Sequence, residues 1–264
     1  MKLTVTVITY NESAHIAAAL DSVSWADEII VVDSGSTDGT AEIARGRATR
    51  VLTRPWEGYS AQKNFAADQA SNDWVLSMDA DERVTPELAR EIRDLLGRGP
   101  AARGYRIRRV SRYLGQWIRS TDWSHDYQLR LYDRRAGRWN GMRIHESFRL
   151  AEGQPVKLRG TLEHYAYNDI AHHLQKINAY TTLIADQWYD EGRRTNAAAM
   201  VIHPWLAFLR NYVVRRGFTE GTVGLVISLM NSYYVFLKLA KLWERQRNPD
   251  PAPPDRAPRA ADRA

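Results

Sequence analysis

Short apolar runs and longer amphipathic segments alternate through the first hundred residues. The apolar runs, which predict strands, cover residues 3–8, 28–33, 51–52 and 74–78. A helix is expected after each of them: Asn11 caps the first, a short helix through Ile43 follows the STDGT turn, residues 60–70 form the third, and Pro86 after Thr85 opens the fourth. The second strand is apolar without a break, which is typical of a sheet covered on both faces. This order predicts an α/β fold with a mainly parallel sheet.

The pattern changes after about residue 100. Residues 104–109, 127–133 and 155–164 alternate between apolar and polar positions and predict the strands of a mixed extension to the sheet. A long amphipathic helix is expected from Asp169 onwards. The predicted organisation is a domain over 1–165, made of halves 1–100 and 101–165, a helical region over 166–247, and a disordered tail over 248–264. The tail, NPDPAPPDRAPRAADRA, is rich in proline and has no large apolar residue.

The helical region contains a strongly apolar segment, residues 197–243. Its stretch 223–242 approaches the length of a membrane-spanning helix, but two lysines and a central Asn-Ser pair interrupt it. Aromatic and basic residues accompany it in a pattern typical of an interfacial helix. They are Trp205, Arg210, Tyr212, Arg215, Arg216, Tyr233, Tyr234, Lys241 and Trp243. Three interpretations follow: helices on a membrane surface, helices buried in a core or an oligomer interface, or one true span.

Charge and composition narrow the classes of partner. The chain of 264 residues carries a formal net charge of +6 and no cysteine, which excludes disulfides and thiolate metal sites. Residues 103–149 hold twelve arginines and only four acids. Such a surface suits phosphorylated ligands or an anionic membrane, although a solvated basic face is the simpler interpretation. The amino terminus lacks the long apolar segment of a signal peptide, so a cytoplasmic location is expected.

Polar residues follow three of the predicted parallel strands. Thr9, Tyr10 and Glu12 come after the first, Asp33 ends the second, and the pair Asp79 and Asp81 ends the third. Ligands of open α/β sheets bind at these carboxyl ends. Two aspartates separated by one residue suit Mg²⁺ or Mn²⁺, provided that the strand continues and sends both to one side. Glu82 is then expected to point the other way and to pair with Arg83 or another basic residue.

The segments VTVITYNES, IIVVDSGSTDGT, AQKNFA and WVLSMDADE resemble, in that order, the nucleotide-sugar domain of family 2 glycosyltransferases. Later segments, among them HDYQLRLYDRRAGRWNGMRIHESF and NSYYVFLKLAKLWE, resemble the subgroup that adds glucose to the inner-core heptose of bacterial lipopolysaccharide. The resemblance implies a GT-A fold, a UDP- or GDP-sugar donor, a divalent metal and inversion at the anomeric carbon. It also implies a lipid-linked saccharide acceptor.

The resemblance further implies roles for individual residues. Thr9, Tyr10, Glu12 and Asp33 would line the nucleoside, and Lys63 would approach the base or the diphosphate. Asp79 would lie near the ribose and the metal, and Asp81 would bind the metal. His164 is a further candidate for the metal or the diphosphate, with a purely structural role as the alternative. Arg130 is a candidate phosphate contact, on the same side of its strand as Gln128 and Tyr132.

Inverting transfer also needs a general base. Glu146, in the His145-Glu146 pair, is the first candidate, and Asp126 is the second. The family's usual acidic pair is replaced here by His-Glu, so a role in orienting a loop is the alternative for Glu146.

The expected function is therefore transfer of a hexose, with glucose from UDP-glucose preferred, to a saccharide acceptor at the cytoplasmic face of the inner membrane. Transfer to another cell-surface polysaccharide or glycolipid is an alternative. A haloacid-dehalogenase-type phosphatase, which also uses a strand-end D-x-D, is a remote one. A non-enzymatic basic module is indicated by charge alone, and no nucleic-acid motif supports it. Assembly of the chain into a homo-oligomer is a further possibility that the sequence leaves undecided.

Overall fold

The computed structural model describes residues 1–141 and 146–248. The predicted tail, apart from Asn248, and His145 lie outside the described residues. The strands are β1 (Leu3–Thr9), β2 (Glu28–Asp33), β3 (Arg50–Thr53), β4 (Trp74–Asp79), β5 (Glu82–Val84), β6 (Gly104–Tyr113), β7 (Gln116–Trp117), β8 (Tyr127–Asp133), β9 (Gly137–Trp139), β10 (Phe148–Leu150) and β11 (Val156–His164). The helices are α1 (Ile16–Asp21), α2 (Thr40–Arg45), α3 (Tyr59–Asp68), α4 (Pro86–Arg98), α5 (Ile170–Asp190), α6 (Ala197–Leu209) and α7 (Gly221–Arg247).

The chain divides into two compact units. The first, which we call the sheet unit, comprises residues 1–110 and 125–165, and the second, the helical unit, comprises residues 111–124 and, of the residues described, 166–248. Residues 111–124 lie inside the sequence range predicted for the acceptor-side half, but they pack with the helices. One segment of the helical unit thus lies, in sequence, between the two parts of the sheet unit.

The main sheet has the order β3-β2-β1-β4-β8-β6-β11-β5, with β7 paired to the end of β6. Strands β1 to β4 are parallel, whereas β8 is antiparallel to both β4 and β6. This arrangement is the predicted parallel sheet with a mixed extension. Because the parallel strands end side by side, Thr9 is opposite Asp33 and Ile8 is opposite Asp79. The predicted strand ends thus meet at one edge.

Both faces of the parallel half are covered, as the apolar sequence of β2 predicted. Ile29 and Val31 belong to a core with α1 and α4, whereas Ile30 and Val32 face α3 and pack near Ala66. Helix α4 begins as predicted, because Thr85 caps it by accepting a hydrogen bond from the Leu88 amide. The cap predicted for α1 is wrong. That helix begins at Ile16 after His15, while Asn11 adopts φ of 52° and accepts from the Thr37 amide.

Gly160 on β11 lies directly against α4. A Cβ atom at this position would stand 2.5 Å from Leu88 Cα, which is backbone and cannot move aside cheaply. We expect Gly160→Ala to lower the free energy of unfolding by roughly 1–3 kcal/mol, measured by urea denaturation. Gly97→Ala is the matched control, since no atom lies within 4 Å of its Cβ position on α4. It should raise stability by about 0.5–1 kcal/mol. Equal stabilities for the two variants would contradict this packing.

The helical unit is built from α5, α6 and α7. Asp169 caps α5 as predicted, accepting from the His172 amide at 2.7 Å. Helix α7 is tied to α5 by polar contacts: Lys241 Nζ donates to Asn178 and Thr181, and Arg245 pairs with Asp186. Lys241, one of the residues predicted for an interface, therefore also joins α7 to α5.

Two helical stretches are long and apolar enough to cross a membrane by length and composition, Ala197–Val214 and Gly217–Arg247. Only 11% of the first stretch is buried. Its outward side chains include Val201, Ile202, Trp205, Leu206, Leu209, Val213 and Val214. We refer to these seven residues as the α6 apolar face. Buried core helices pass the same compositional test, but the exposure of the α6 apolar face distinguishes it from one.

Candidate functional site

The loops that follow β1 and β2 are joined by a dense set of hydrogen bonds. Asp33, at the end of β2, accepts from the amides of Gly35 and Ser36. Ser36 in turn accepts from the Asn11 amide. The Glu12 amide donates to Thr40 Oγ1, and the Ser13 amide donates to Asp38. The carboxylate predicted to line a nucleoside therefore also shapes the loop around it.

Asp38, in the loop after β2, is held by hydrogen bonds from Ser13 and Thr40. Its partial burial opposes ionisation, but hydrogen bonds from Thr40 and Ser13 outweigh that effect and lower its pKa to about 2. Asp38 was not among the residues predicted for the site, although the STDGT segment is a typical capping signal before a helix. Tyr10 and Glu12 lie in the first of these loops, and Thr9 is buried at the end of its strand.

Asp79 lies between two buried cations. Lys63 Nζ approaches Asp79 Oδ1 to 3.1 Å, and Arg130 Nη2 donates to Asp79 Oδ2. The side chains of Lys63 and Arg130 are only 1% and 3% exposed. Burial alone would raise the pKa of Asp79, but the charges of Arg130 and Lys63 outweigh it and hold that pKa well below its usual range. We call Lys63, Asp79 and Arg130, together with Glu82, the central cluster.

Strand β4 ends at Asp79, and residues 80–81 form a turn. Asp79 and Asp81 were predicted to lie on one side only if the strand continued through both of them. Because the strand ends at Asp79, that condition is not met. Asp81 Oδ2 instead lies 3.4 Å from His164 Nε2, at the end of β11, and the Asp81 carbonyl accepts from the Tyr165 amide. The two aspartates of the motif thus have different partners: cations for Asp79 and a histidine for Asp81.

Glu82 is completely buried and pairs with arginines. Its Oε1 accepts from Arg130 at 2.7 Å and from Arg109 at 3.2 Å, and its Oε2 accepts from the Asp79 amide at 3.0 Å. The expectation that Glu82 pairs with a basic residue is confirmed. Arg83, named first for that role, is not the partner: its guanidinium stacks 3.9 Å above the ring of Tyr165.

Arg130 reaches the central cluster through an irregularity in its strand. Along the β6–β8 pairing, Tyr105 is opposite Leu131 and Arg106 is opposite Leu129, so Arg130 is the extra residue of a bulge. Bulges re-aim a side chain and often lie next to active sites. The expected alternation of Gln128, Arg130 and Tyr132 on one side is therefore interrupted, because the register shifts between Gln128 and Tyr132.

Each of the two candidate bases pairs with a different cation, Glu146 with Lys63 and Asp126 with Arg109. Glu146 Oε1 accepts from Lys63 Nζ at 3.0 Å, and its side chain is 22% exposed. Asp126 is held by Arg109, at 2.7 Å and 2.8 Å from two guanidinium nitrogens, and by Gln128. Burial opposes ionisation of Asp126, but the charge of Arg109 outweighs it and lowers the pKa. The structure thus brings both candidates to the same site.

The predicted metal ligands are only partly assembled. Within residues 1–141 and 146–248, no group of three His, Cys, Asp or Glu side chains could hold a metal ion. Asp79 is occupied by two cations, which would compete with a metal ion at the same oxygens. Asp81 and His164 are close together and fit Mn²⁺ or Mg²⁺, since such ions take carboxylate oxygen and, for Mn²⁺, imidazole nitrogen, and fill the remaining positions with phosphate and water.

Comparison with known proteins agrees with these features. The family described as "Glycosyl transferase family 2" matches residues 4–151. The chain is 32% identical over 252 residues to the lipopolysaccharide core biosynthesis glycosyltransferase LpsC of Rhizobium meliloti (strain 1021), covering 93% of each chain.

Solved structures show looser likenesses. Staphylococcus aureus TarS 1–349 is 15% identical, with 95% of this chain and 92% of that chain covered and a TM-score of 0.46. Glucosyl-3-phosphoglycerate synthase from Mycobacterium tuberculosis, in complex with Mn²⁺, UDP and its product, is 26% identical, with 42% and 44% covered and a TM-score of 0.36. Family and relative together identify the described α/β architecture as a GT-A fold and the protein as an enzyme. The chain belongs to glycosyl transferase family 2.

Proposed function

We propose that this glycosyltransferase is inverting and metal-dependent, and that it moves glucose from UDP-glucose to a lipid-linked saccharide such as the lipopolysaccharide inner core. The observation that carries the proposal is the central cluster, with Glu146 bound to Lys63 and with Asp81, in the turn after β4, next to His164 at the end of β11. The name of the Rhizobium meliloti relative supports the acceptor. Another cell-surface polysaccharide or glycolipid is the second candidate acceptor.

The loops after β1 and β2 would hold the nucleoside, with Asp33, Thr9, Tyr10 and Glu12 around it. Lys63 and Arg130 would stabilise the negative charge that develops on the departing diphosphate, because fixed buried cations act most strongly where water is excluded. Mn²⁺ or Mg²⁺, when bound, would neutralise the same diphosphate as a Lewis acid, and Asp81 with His164 would hold it.

Glu146 is the better candidate for the base that takes the proton of the acceptor hydroxyl. Its carboxylate is partly exposed, so an incoming hydroxyl can reach it. Its contact with Lys63 places the base next to the cation that would stabilise the leaving group. Asp126 is less suited, because Arg109 lowers its pKa and occupies its carboxylate. A base with a lower pKa accepts a proton less readily in the transition state.

The α6 apolar face supports a peripheral location at the cytoplasmic side of the inner membrane. Trp205 and Val214 are 61% and 74% exposed, and Arg210, Arg215 and Arg216 follow on the same segment. Exposed aromatic and aliphatic side chains with adjacent arginines match an anionic lipid surface. A lipid-linked acceptor would be encountered there.

Vesicle binding tests this location. Ile202→Ser combined with Trp205→Ser should weaken binding to vesicles containing anionic phospholipid by about a hundredfold or more, since each side chain contributes about 1.5–3 kcal/mol when buried and each 1.4 kcal/mol is a factor of ten. Leu174→Ser, at an exposed apolar position on α5, is the matched control and should bind as the wild type does. Equal binding by the double variant would contradict the proposed surface. Loss of a dimer in sedimentation with vesicle binding retained would instead indicate that the face joins two copies of the chain.

The transfer itself is tested with a panel of nucleotide sugars and Mn²⁺ or Mg²⁺. Purified core lipid lacking its terminal glucose serves as acceptor, and the product is separated by chromatography. UDP-glucose is expected to give the fastest transfer. Absence of transfer from every nucleotide sugar would contradict the proposed reaction, and transfer only to another glycolipid would move the assignment to the second acceptor class.

A further inference from the structure

Glu82 is a fully buried carboxylate for which the proposed reaction has no role. Three polar contacts compensate its burial: Arg130 and Arg109 on Oε1, and the Asp79 amide on Oε2. An ionised group removed from water is costly unless it is paired and hydrogen-bonded in this way. Such a residue stabilises a local arrangement of charges, and the arrangement here includes two members of the central cluster.

Arg130 has an unusual distribution of hydrogen bonds. One nitrogen, Nη2, donates to both Asp79 and Glu82. Among the residues that the structure describes, neither Nε nor Nη1 of Arg130 has a hydrogen-bond partner, although both are buried. Buried donors without partners are uncommon in proteins, and each calls for an explanation such as a ligand that completes them. Arginine is well suited to phosphate because it offers several donors in a fixed plane.

We propose that Glu82 is a positioning residue that holds Arg130 by Nη2 and so keeps its other nitrogens available to the departing diphosphate. The inference rests on the proposed function, since it assigns Arg130 to the leaving group. Without the charge of Glu82, Asp79 becomes the remaining carboxylate on Nη2 and draws the guanidinium toward itself. Glu82 also restrains Arg109, whose two other nitrogens hold Asp126.

The test is a double-mutant cycle between Glu82→Gln and Arg130→Lys. Glu82→Gln keeps the shape of the side chain and should lower kcat by roughly ten- to a hundredfold, less than the 10²–10³ typical of deleting a transition-state donor, because Arg130 is still present. UDP affinity, measured by calorimetry with Mn²⁺, should fall with it, while the acceptor KM stays constant. In the Arg130→Lys background the same change should have less than about a twofold effect.

If the losses of kcat caused by Glu82→Gln and by Arg130→Lys multiply in the double variant, Glu82 acts independently of Arg130. That result would overturn the positioning role. A lower melting temperature with unchanged kcat and UDP affinity would also overturn it and leave only a structural role. If Glu82→Gln does not fold, Glu82→Asp replaces it, and unchanged UDP affinity in that variant contradicts the proposal. A wild-type protein that neither binds UDP nor transfers sugar would overturn the proposed function itself, a result distinct from all of these.

Discussion

Asp81→Asn is expected to reduce sugar transfer by roughly a thousandfold. Asp81 Oδ2 lies 3.4 Å from Nε2 of His164, so a carboxylate and a metal-compatible imidazole are close together here. Losing the charge would remove several kcal/mol of diphosphate stabilisation, and each 1.4 kcal/mol corresponds to a factor of ten in rate. Transfer should be measured at saturating UDP-glucose with Mn²⁺ varied, and the variant should need far more Mn²⁺ for its residual activity.

Asp94→Asn provides the matched control for this change. Asp94 is exposed on α4 and should tolerate the same substitution without effect on transfer or Mn²⁺ dependence. Full activity in Asp81→Asn, or an unchanged Mn²⁺ requirement, would remove Asp81 from the metal site. His164→Ala should shift the Mn²⁺ dependence in the same direction, since both side chains are assigned to one ion.

Glu146→Gln is expected to lower kcat by roughly 10²–10⁴, the usual contribution of a positioned general base. Glutamine can still accept a hydrogen bond from Lys63, so UDP affinity and the melting temperature should change little. The rate should be measured at saturating UDP-glucose and acceptor, so that the loss is read in kcat alone. Asp126→Asn should have a smaller effect on kcat.

The comparison of these two variants decides between the candidate bases. If Asp126→Asn lowers kcat by roughly 10²–10⁴ while Glu146→Gln leaves it nearly unchanged, the assignments are reversed. If Glu146→Gln instead lowers UDP affinity with kcat retained, Glu146 serves to orient its loop through Lys63, which was the alternative derived from the sequence.

The strand ends were predictable because they depend on local pattern. Continuous apolar runs mark buried parallel strands, and the polar residues that follow them must lie at one edge of the sheet. This reasoning located Asp33 and Asp79 correctly. It failed for Asp81, because the end of β4 is set by a two-residue turn rather than by the period of the motif. It failed likewise for Asn11, since the helix cap depends on hydrogen bonds to a loop distant in sequence.

The basic residues that pair with the acids of the site could not be predicted from the sequence. Arg130 reaches Asp79 across 51 residues, and Lys63 reaches Glu146 across 83. Such pairings depend on tertiary packing, and the bulge that redirects Arg130 leaves no signal in residue type. One sign was available: an arginine within the apolar run of YQLRLYD. A buried arginine requires a partner or a ligand, so its position alone marked it for attention.

The anomeric configuration of the product tests the central claim most directly. Transfer from UDP-α-glucose to purified core lipid, followed by proton NMR of the released saccharide, reports it in one spectrum. The proposed arrangement, with Glu146 deprotonating the acceptor and Lys63 and Arg130 stabilising the departing diphosphate, predicts a β-linked glucose. An α-linked product, or no glucose on the acceptor, would contradict it.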